Sequence, residues 1–146
     1  MGAPTTREMT RTPVQTAALT VGIIFLLIGL LGFIPGITTN YGEMQFAGHE
    51  SDARLLGLFQ VSILHNLVHL LFGVAGVAMA RSWSAARLFL IGGGVIYLVF
   101  WLYGLLVDEE GAANFVPFNT ADDWLHLILG VGMIALGLLT GRSAAR

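Results

Sequence analysis

The sequence contains no cysteine. Disulfides, thiolate metal ligands and thiol redox chemistry are therefore excluded. Lysine is absent as well, so all seven basic residues are arginine, and they are balanced by nine acidic residues. A formal net charge of −2 without a basic run is not typical of a nucleic-acid-binding protein. We expect no nucleic-acid partner.

Charge of either sign is scarce. Only 11% of the residues are charged and 55% are apolar, whereas a soluble domain usually has about 25% charged residues. So few charges could not cover a surface that faces water, so the composition predicts that the lipid bilayer is the solvent. With 146 residues, the chain has room for one domain.

Four apolar runs are long enough to cross a membrane, which takes roughly 20 residues in a helix. They predict an all-α fold, a bundle of four transmembrane helices in one domain at 16–141. Short tails at 1–15 and 142–146 flank this domain. The predicted helices lie at about 17–34, 55–80, 86–107 and 122–140.

The arginines predict the orientation of the bundle. Eight of the nine acidic residues fall at the opposite side of the predicted bundle from most arginines. Because cytoplasmic loops carry an excess of basic residues, both termini are predicted to be cytoplasmic in a multi-pass protein of the inner (plasma) membrane. Six of the seven arginines lie at three alternate connections: Arg7, Arg11, Arg81, Arg87, Arg142 and Arg146.

A short pattern occurs twice. The pattern x-His-Leu-x-x-Gly-Val at 68–74 returns at 125–131, offset by the 57 positions that separate His69 from His126. This predicts two related helical hairpins, helices one and two and helices three and four. Segments rich in leucine and glycine also repeat by chance, so duplication and coincidence both remain open.

Ionisable residues inside the predicted spans form a polar stripe. His65 and His69 are four residues apart and share one helix face, and Asp122 and His126 repeat this spacing on the fourth helix. Such residues face the interior of a bundle, because exposing an ionisable group to the lipid inside the membrane costs roughly 2–3 kcal/mol or more. We expect the four side chains to lie in one small volume.

Three interpretations of this stripe remain open. In the first, hydrogen bonds between the helices make it structural. In the second, it holds a divalent metal such as zinc, with Asn66 and Tyr97 hydrogen-bonded to the ligands. In the third, b-type haem is held by His126 and either His65 or His69. The ligands of the metal interpretation are three imidazoles and a carboxylate: His65, His69, Asp122 and His126.

These interpretations lead to different functions. The favoured one is a non-enzymatic membrane protein with a structural or metal-binding polar site. The enzyme alternative is a haem- or metal-dependent oxidoreductase acting on quinone or lipid. An ion or proton transporter is a third class, and it would need a homo-oligomer or a larger membrane complex because four helices form a narrow bundle.

Three segments resemble an uncharacterised family of small, mainly actinobacterial, membrane proteins. They are LLGFIPGIT at 30–38, LFQVSILHNLVH at 58–69 and NTADDWLHL at 119–127. The resemblance covers nearly the whole chain and implies a four-helix membrane protein with no established activity. Its segments contain all four predicted ligands and Asn66, and its members commonly carry asparagine where this chain has Asp123.

Overall fold

The structure, a computed structural model, describes residues 10–144. Its described part is mostly helical, with a short 3₁₀ turn at Gly141–Ala144. Helices α1, α3 and α4 are long and apolar enough to cross a membrane, whereas α2 is apolar but has only 17 residues. The helices are α1 Pro13–Leu31, α2 Ile63–Met79, α3 Trp83–Leu106 and α4 Thr120–Thr140.

A small sheet corrects the prediction of a purely all-α fold. Its order is β1-β2-β3, both pairs are antiparallel, and Leu55 pairs with Thr38 on one side and Phe59 on the other. Left-handed backbone at Leu56 and Gly57 makes the tight turn between the last two strands. The strands are β1 Thr38–Thr39, β2 Arg54–Leu55 and β3 Phe59–Gln60.

The second helix therefore begins later than the apolar run suggested, at Ile63 instead of position 55. Ser62 defines this start, since its side chain accepts a hydrogen bond from the backbone N–H of His65 at 3.1 Å. The other helices overlap their predicted ranges 17–34, 86–107 and 122–140, with ends shifted by a few residues. Of the predicted tails, positions 1–9 and 145–146 lie outside the described residues.

The helices pack as two hairpins, α1 with α2 and α3 with α4. In each hairpin, the two helices approach each other closely at a glycine. A Cβ at Gly22 would lie 2.8 Å from the backbone nitrogen of Val77, and a Cβ at Gly94 would lie 3.0 Å from that of Ile134. Such small residues allow two helix backbones to touch. Val77 and Ile134 differ by the same 57 positions as His69 and His126, so the two hairpins make equivalent contacts.

The hairpins meet through α1 and α3. The rings of Phe25 and Tyr97 stack there with centroids 5.4 Å apart and planes 15° from parallel. Phe25 and Tyr97 are separated by the same number of positions as Gly22 and Gly94. Equivalent residues therefore face each other across the centre of the bundle, which is the arrangement expected of a duplicated hairpin.

The two ends of the bundle differ. Residues 32–62 and 107–119 form what we call the loop cap at one end. Its two segments touch, as the N–H of Gly48 donates to the carbonyl of Phe115 at 2.6 Å. At the other end, the side-chain amide of Gln15 donates to the carbonyl of Ala80 at 3.1 Å, which joins the start of α1 to the α2–α3 turn.

Replacing Gly22 with alanine should destabilise the protein by about 1–3 kcal/mol, because the new methyl group overlaps the backbone of α2. Gly132→Ala is the matched control, since a Cβ there meets nothing within 4 Å and alanine is the better helix former. Thermal unfolding of the purified variants, followed by circular dichroism, measures the difference. Equal midpoints for both variants would contradict this account of the α1–α2 contact.

Candidate functional site

The inward faces of α2 and α4 are made of polar and small residues apart from Met133. No branched aliphatic side chain is buried on either face. The buried residues of α2 are His65, Asn66, His69, Gly73 and Gly76. Those of α4 are Asp122, Asp123, His126, Gly130, Met133 and Gly137.

Three imidazoles lie near one another beneath the loop cap. The ring centroid of His65 is 4.6 Å from that of His69 and 6.5 Å from that of His126. The ring of Tyr97 on α3 lies 5.4 Å from His126. Phe25 on α1 lies 5.7 Å from His69. All four helices therefore contribute a ring to this region.

Two of the imidazoles have a defined tautomer. Nδ1 of His65 donates to the carbonyl of Gln60, and Nδ1 of His69 donates to the carbonyl of His65, both at 3.0 Å. A carbonyl can only accept, so both Nδ1 atoms carry a proton, and in a neutral imidazole Nε2 is then the acceptor. Within residues 10–144, Nε2 of His69 and Nδ1 of His126 are buried without a hydrogen-bond partner.

The carboxylate of Asp122 is committed to the backbone. Its Oδ2 accepts from the N–H of Asn119 at 3.0 Å and from the N–H of Gln60 at 3.2 Å. The side chain of Asn119 in turn accepts from the N–H of Asp122 at 3.0 Å, which completes a capping box at the start of α4. Because Gln60 also accepts from His65, its peptide groups connect α2 to α4.

The predicted metal site receives no support from this geometry. Among the described residues, no three or more His, Asp or Glu side chains are placed to hold a metal ion. Asp122, one of the four predicted ligands, is used as a cap. The expected hydrogen bonds from Asn66 and Tyr97 to the imidazoles are also missing from the described part, since the amide of Asn66 instead approaches the sulfur of Met44 at 3.9 Å.

Haem does not fit between the imidazoles either. The ring of Phe118 lies 4.5 Å from His126 and 5.9 Å from His65, and Phe100 lies 5.9 Å from His126. A porphyrin held by His65 and His126 would have to take the space that these rings fill. The residues present therefore form a packed aromatic region and not a haem cleft.

A family profile described as "Domain of unknown function (DUF4383)" matches residues 15–139. The chain belongs to this family. The resemblance of segments 30–38, 58–69 and 119–127 is thereby confirmed, and the family description assigns no activity. No curated protein and no solved structure matches the chain.

Sequence reasoning missed the partners of the polar stripe. Gln60 and Phe118 lie outside the helices, so the helical spacing of polar residues could not identify them as partners of the histidines. One available signal was the repeat itself, since Ser62 and Asn119 are also 57 positions apart and both cap a helix.

Asn66 and Asp123 are a further equivalent pair. The side chain of Asn66 fills the space beside Gly32, and the carboxylate of Asp123 fills the space beside Gly104. Within the described part of the chain, Oδ1 of Asp123 is buried without a hydrogen-bond partner. The two hairpins thus use the same geometry with different chemical groups.

Removing the carboxylate of Asp122 should lower the stability by about 1–3 kcal/mol, because Asp122→Ala leaves two partly buried N–H groups without an acceptor. Asp52→Ala is the control, since the carboxylate of Asp52 makes only exposed interactions, an ion pair with Arg54 at 3.2 Å and a hydrogen bond from the amide of Asn40 at 3.3 Å, and exposed pairs contribute little. Thermal melting of both variants in detergent provides the comparison. If Asp52→Ala lowers the midpoint as much as Asp122→Ala, the cap is not what holds α2 and α4 together.

Proposed function

We propose that this protein is a four-span integral membrane protein with both termini in the cytoplasm. In this proposal the loop cap lies on the outer side of the membrane. The buried polar stripe is structural and fastens the cap to the helices. The observation that carries the proposal is the exposed apolar surface of all four helices, combined with ionisable side chains that are buried between them.

The outward faces of the helices are apolar on every side of the bundle. On α2, the shortest helix, Leu67, Leu71 and Val74 are 41%, 69% and 58% exposed. Contiguous apolar surface of this extent is not stable in water and is typical of contact with lipid. The other three helices expose similar residues, among them Ile23, Leu27, Leu30, Leu88, Val95, Val99, Leu102, Ile128, Val131 and Leu139.

The length of α2 is compatible with a fourth span. Its 17 residues extend about 26 Å at 1.5 Å per residue, which is near the lower limit for crossing a hydrocarbon core of about 30 Å. The helix begins directly beneath the loop cap, where Ser62 and the strand residue Gln60 satisfy its first polar groups. Because the cap covers this end, a short helix suffices.

The distribution of charge supports the orientation. Every acidic residue that the structure describes lies in the loop cap or in the first turn of α4 beside it. At the other end, a Cβ on Gly141 would lie 2.9 Å from Cδ of Arg87, so this arginine packs against the end of α4. The positive-inside rule assigns that end to the cytoplasm. It carries four described arginines: Arg11, Arg81, Arg87 and Arg142.

A structural role for the polar stripe is supported by where the stripe ends. Beyond His69 and His126, the buried faces of α2 and α4 continue as glycines and Met133, with no ionisable group among the described residues. A proton or ion path would need polar groups across the whole span. The hydrogen bonds of the stripe run instead towards Gln60 and the cap, which favours fastening over transport.

The absence of cysteine makes the topology directly testable. Single cysteines at the exposed positions Gly42 and Ala112, one in each segment of the loop cap, should react with a membrane-impermeant maleimide in intact cells. A cysteine at the exposed position Ser84, in the α2–α3 connection, should react only after the membrane is permeabilised. Labelling of Ser84→Cys in intact cells, or protection of either cap position, would show that the proposed orientation is wrong.

The structural role makes a second prediction. His126→Phe should change the free energy of unfolding by less than about 1.5 kcal/mol, because it replaces one flat ring by another among aromatic neighbours. His65→Phe should cost about 1–3 kcal/mol, since the carbonyl of Gln60 loses its donor.

The same purified samples, analysed for metal content and visible absorption, should contain no stoichiometric metal and show no haem band. One metal ion per chain in the wild type that disappears in His126→Phe would overturn the structural role and restore the metal interpretation.

A further inference from the structure

We propose that the seam between α2 and α3 is a lipid-binding groove for one acyl chain of an anionic phospholipid from the cytoplasmic leaflet, with the phosphate beside Arg81. This inference rests on the membrane orientation proposed above. It adds a specific ligand to a protein whose polar stripe we interpret as structural.

The groove is an apolar cleft of about 450 Å³. Leu71, Ala75 and Met79 line it from α2, while Leu88, Gly92 and Ile96 line it from α3. These two helices belong to different hairpins and contact each other much less than each contacts its hairpin partner. The cleft is therefore a seam that no side chain of the described residues closes.

Gly92 keeps this seam open. A Cβ at Gly92 would meet only Cδ1 of Leu88, at 3.8 Å, so the space beside it is free. Gly93 also lines the cleft, but a Cβ there would lie 2.8 Å from Cε of Met133, which already fills that space. When α1 and α3 are aligned on Gly22 and Gly94, the residues of α1 that correspond to Gly92 and Gly93 are Thr20 and Val21. The second hairpin therefore has glycine at two positions of this seam where the first hairpin has larger residues.

The length and exposure of the groove fit a single lipid chain. From Leu71 to Met79 it extends about 12 Å at 1.5 Å per residue, less than half of a hydrocarbon core of about 30 Å. It begins near the α2–α3 connection, at the arginine-bearing end. Leu71, Leu88 and Ile96 are exposed along its rim, so it opens sideways towards the lipid. A chain from the cytoplasmic leaflet can enter without crossing the membrane centre.

Charge complementarity selects an anionic headgroup. Arg81 is exposed, follows Met79 by two positions and makes no ion pair within the described residues, where the single recorded pair joins Arg54 to Asp52. The described acidic residues all lie at the opposite end of the bundle. An exposed guanidinium two positions beyond the groove residue Met79 is suited to a phosphate, and basic sites between helices on this side of a membrane bind acidic headgroups.

The first test is native mass spectrometry of the detergent-purified protein, incubated with phosphatidylglycerol or with phosphatidylcholine of the same chain length. We expect the wild type to retain one phosphatidylglycerol. Gly92→Leu should abolish retention because the new side chain occupies the groove. Gly132→Leu, a matched change at an exposed position of α4 where a Cβ meets nothing within 4 Å, should retain the lipid as the wild type does.

The second test separates the headgroup from the chain. Arg81→Gln should weaken phosphatidylglycerol binding about fivefold and leave phosphatidylcholine binding unchanged. Arg142→Gln is the control, an exposed arginine at the same end beside α4. Equal loss in both arginine variants would overturn the headgroup site, because it would indicate general attraction between lipid and a basic end.

Three outcomes would overturn the lipid site itself. The first is retention of lipid by Gly92→Leu at the wild-type level, with the same melting temperature as Gly132→Leu. The second is equal loss of lipid in both leucine variants. The third is conversion of a dimer to a monomer by Gly92→Leu, which would make the seam an interface between two copies. If cysteine labelling supports four spans but no lipid is retained, this inference fails and the proposed function stands. If the labelling contradicts the proposed orientation, both the proposed function and this inference are wrong.

Discussion

Close contact between helix backbones at Gly22 and Gly94 is the constraint on which the rest of the bundle depends. In the membrane location that we propose, there is no hydrophobic force to bring helices together, so packing and hydrogen bonds must do it. A side chain at either glycine would meet the backbone of the partner helix. The same contacts hold Phe25 and Tyr97 face to face at the centre and set the positions of the polar side chains on α2 and α4.

The polar groups are the second level of organisation. The backbone of Gln60 lies between two helices, with its carbonyl accepting from His65 and its N–H donating to Asp122. A strand residue thus closes the end of the bundle. His65, His69 and Asp122, which as sequence features suggested a metal centre, form their hydrogen bonds with backbone groups. This use explains why they lie beneath the cap and why the stripe does not continue through the bundle.

The two hairpins are similar in outline and different in detail. Asn66 and Asp123 occupy equivalent places beside Gly32 and Gly104, yet one is an amide and the other a carboxylate. At the α2–α3 seam, glycines stand where α1 has larger side chains. Two hairpins of similar outline can carry such differences, because the backbone contacts that stabilise them do not depend on the side chains that vary. Differences between the hairpins are therefore the places where a specific role can arise.

The sequence alone determined the helical class, the four apolar segments, the family and the distribution of charge, because hydropathy and charge act locally and are readable from one stretch of chain. It also contained the short repeated pattern, whose two copies lie at equivalent places on α2 and α4. Only the tertiary structure decided that part of the second apolar run is strand and turn, since Leu55 and Phe59 are as apolar as helix residues and differ only in what they pair with. The tertiary structure likewise decided that the carboxylate of Asp122 accepts a hydrogen bond from the N–H of Gln60. That bond joins residues distant in the chain, so no local sequence pattern predicts it.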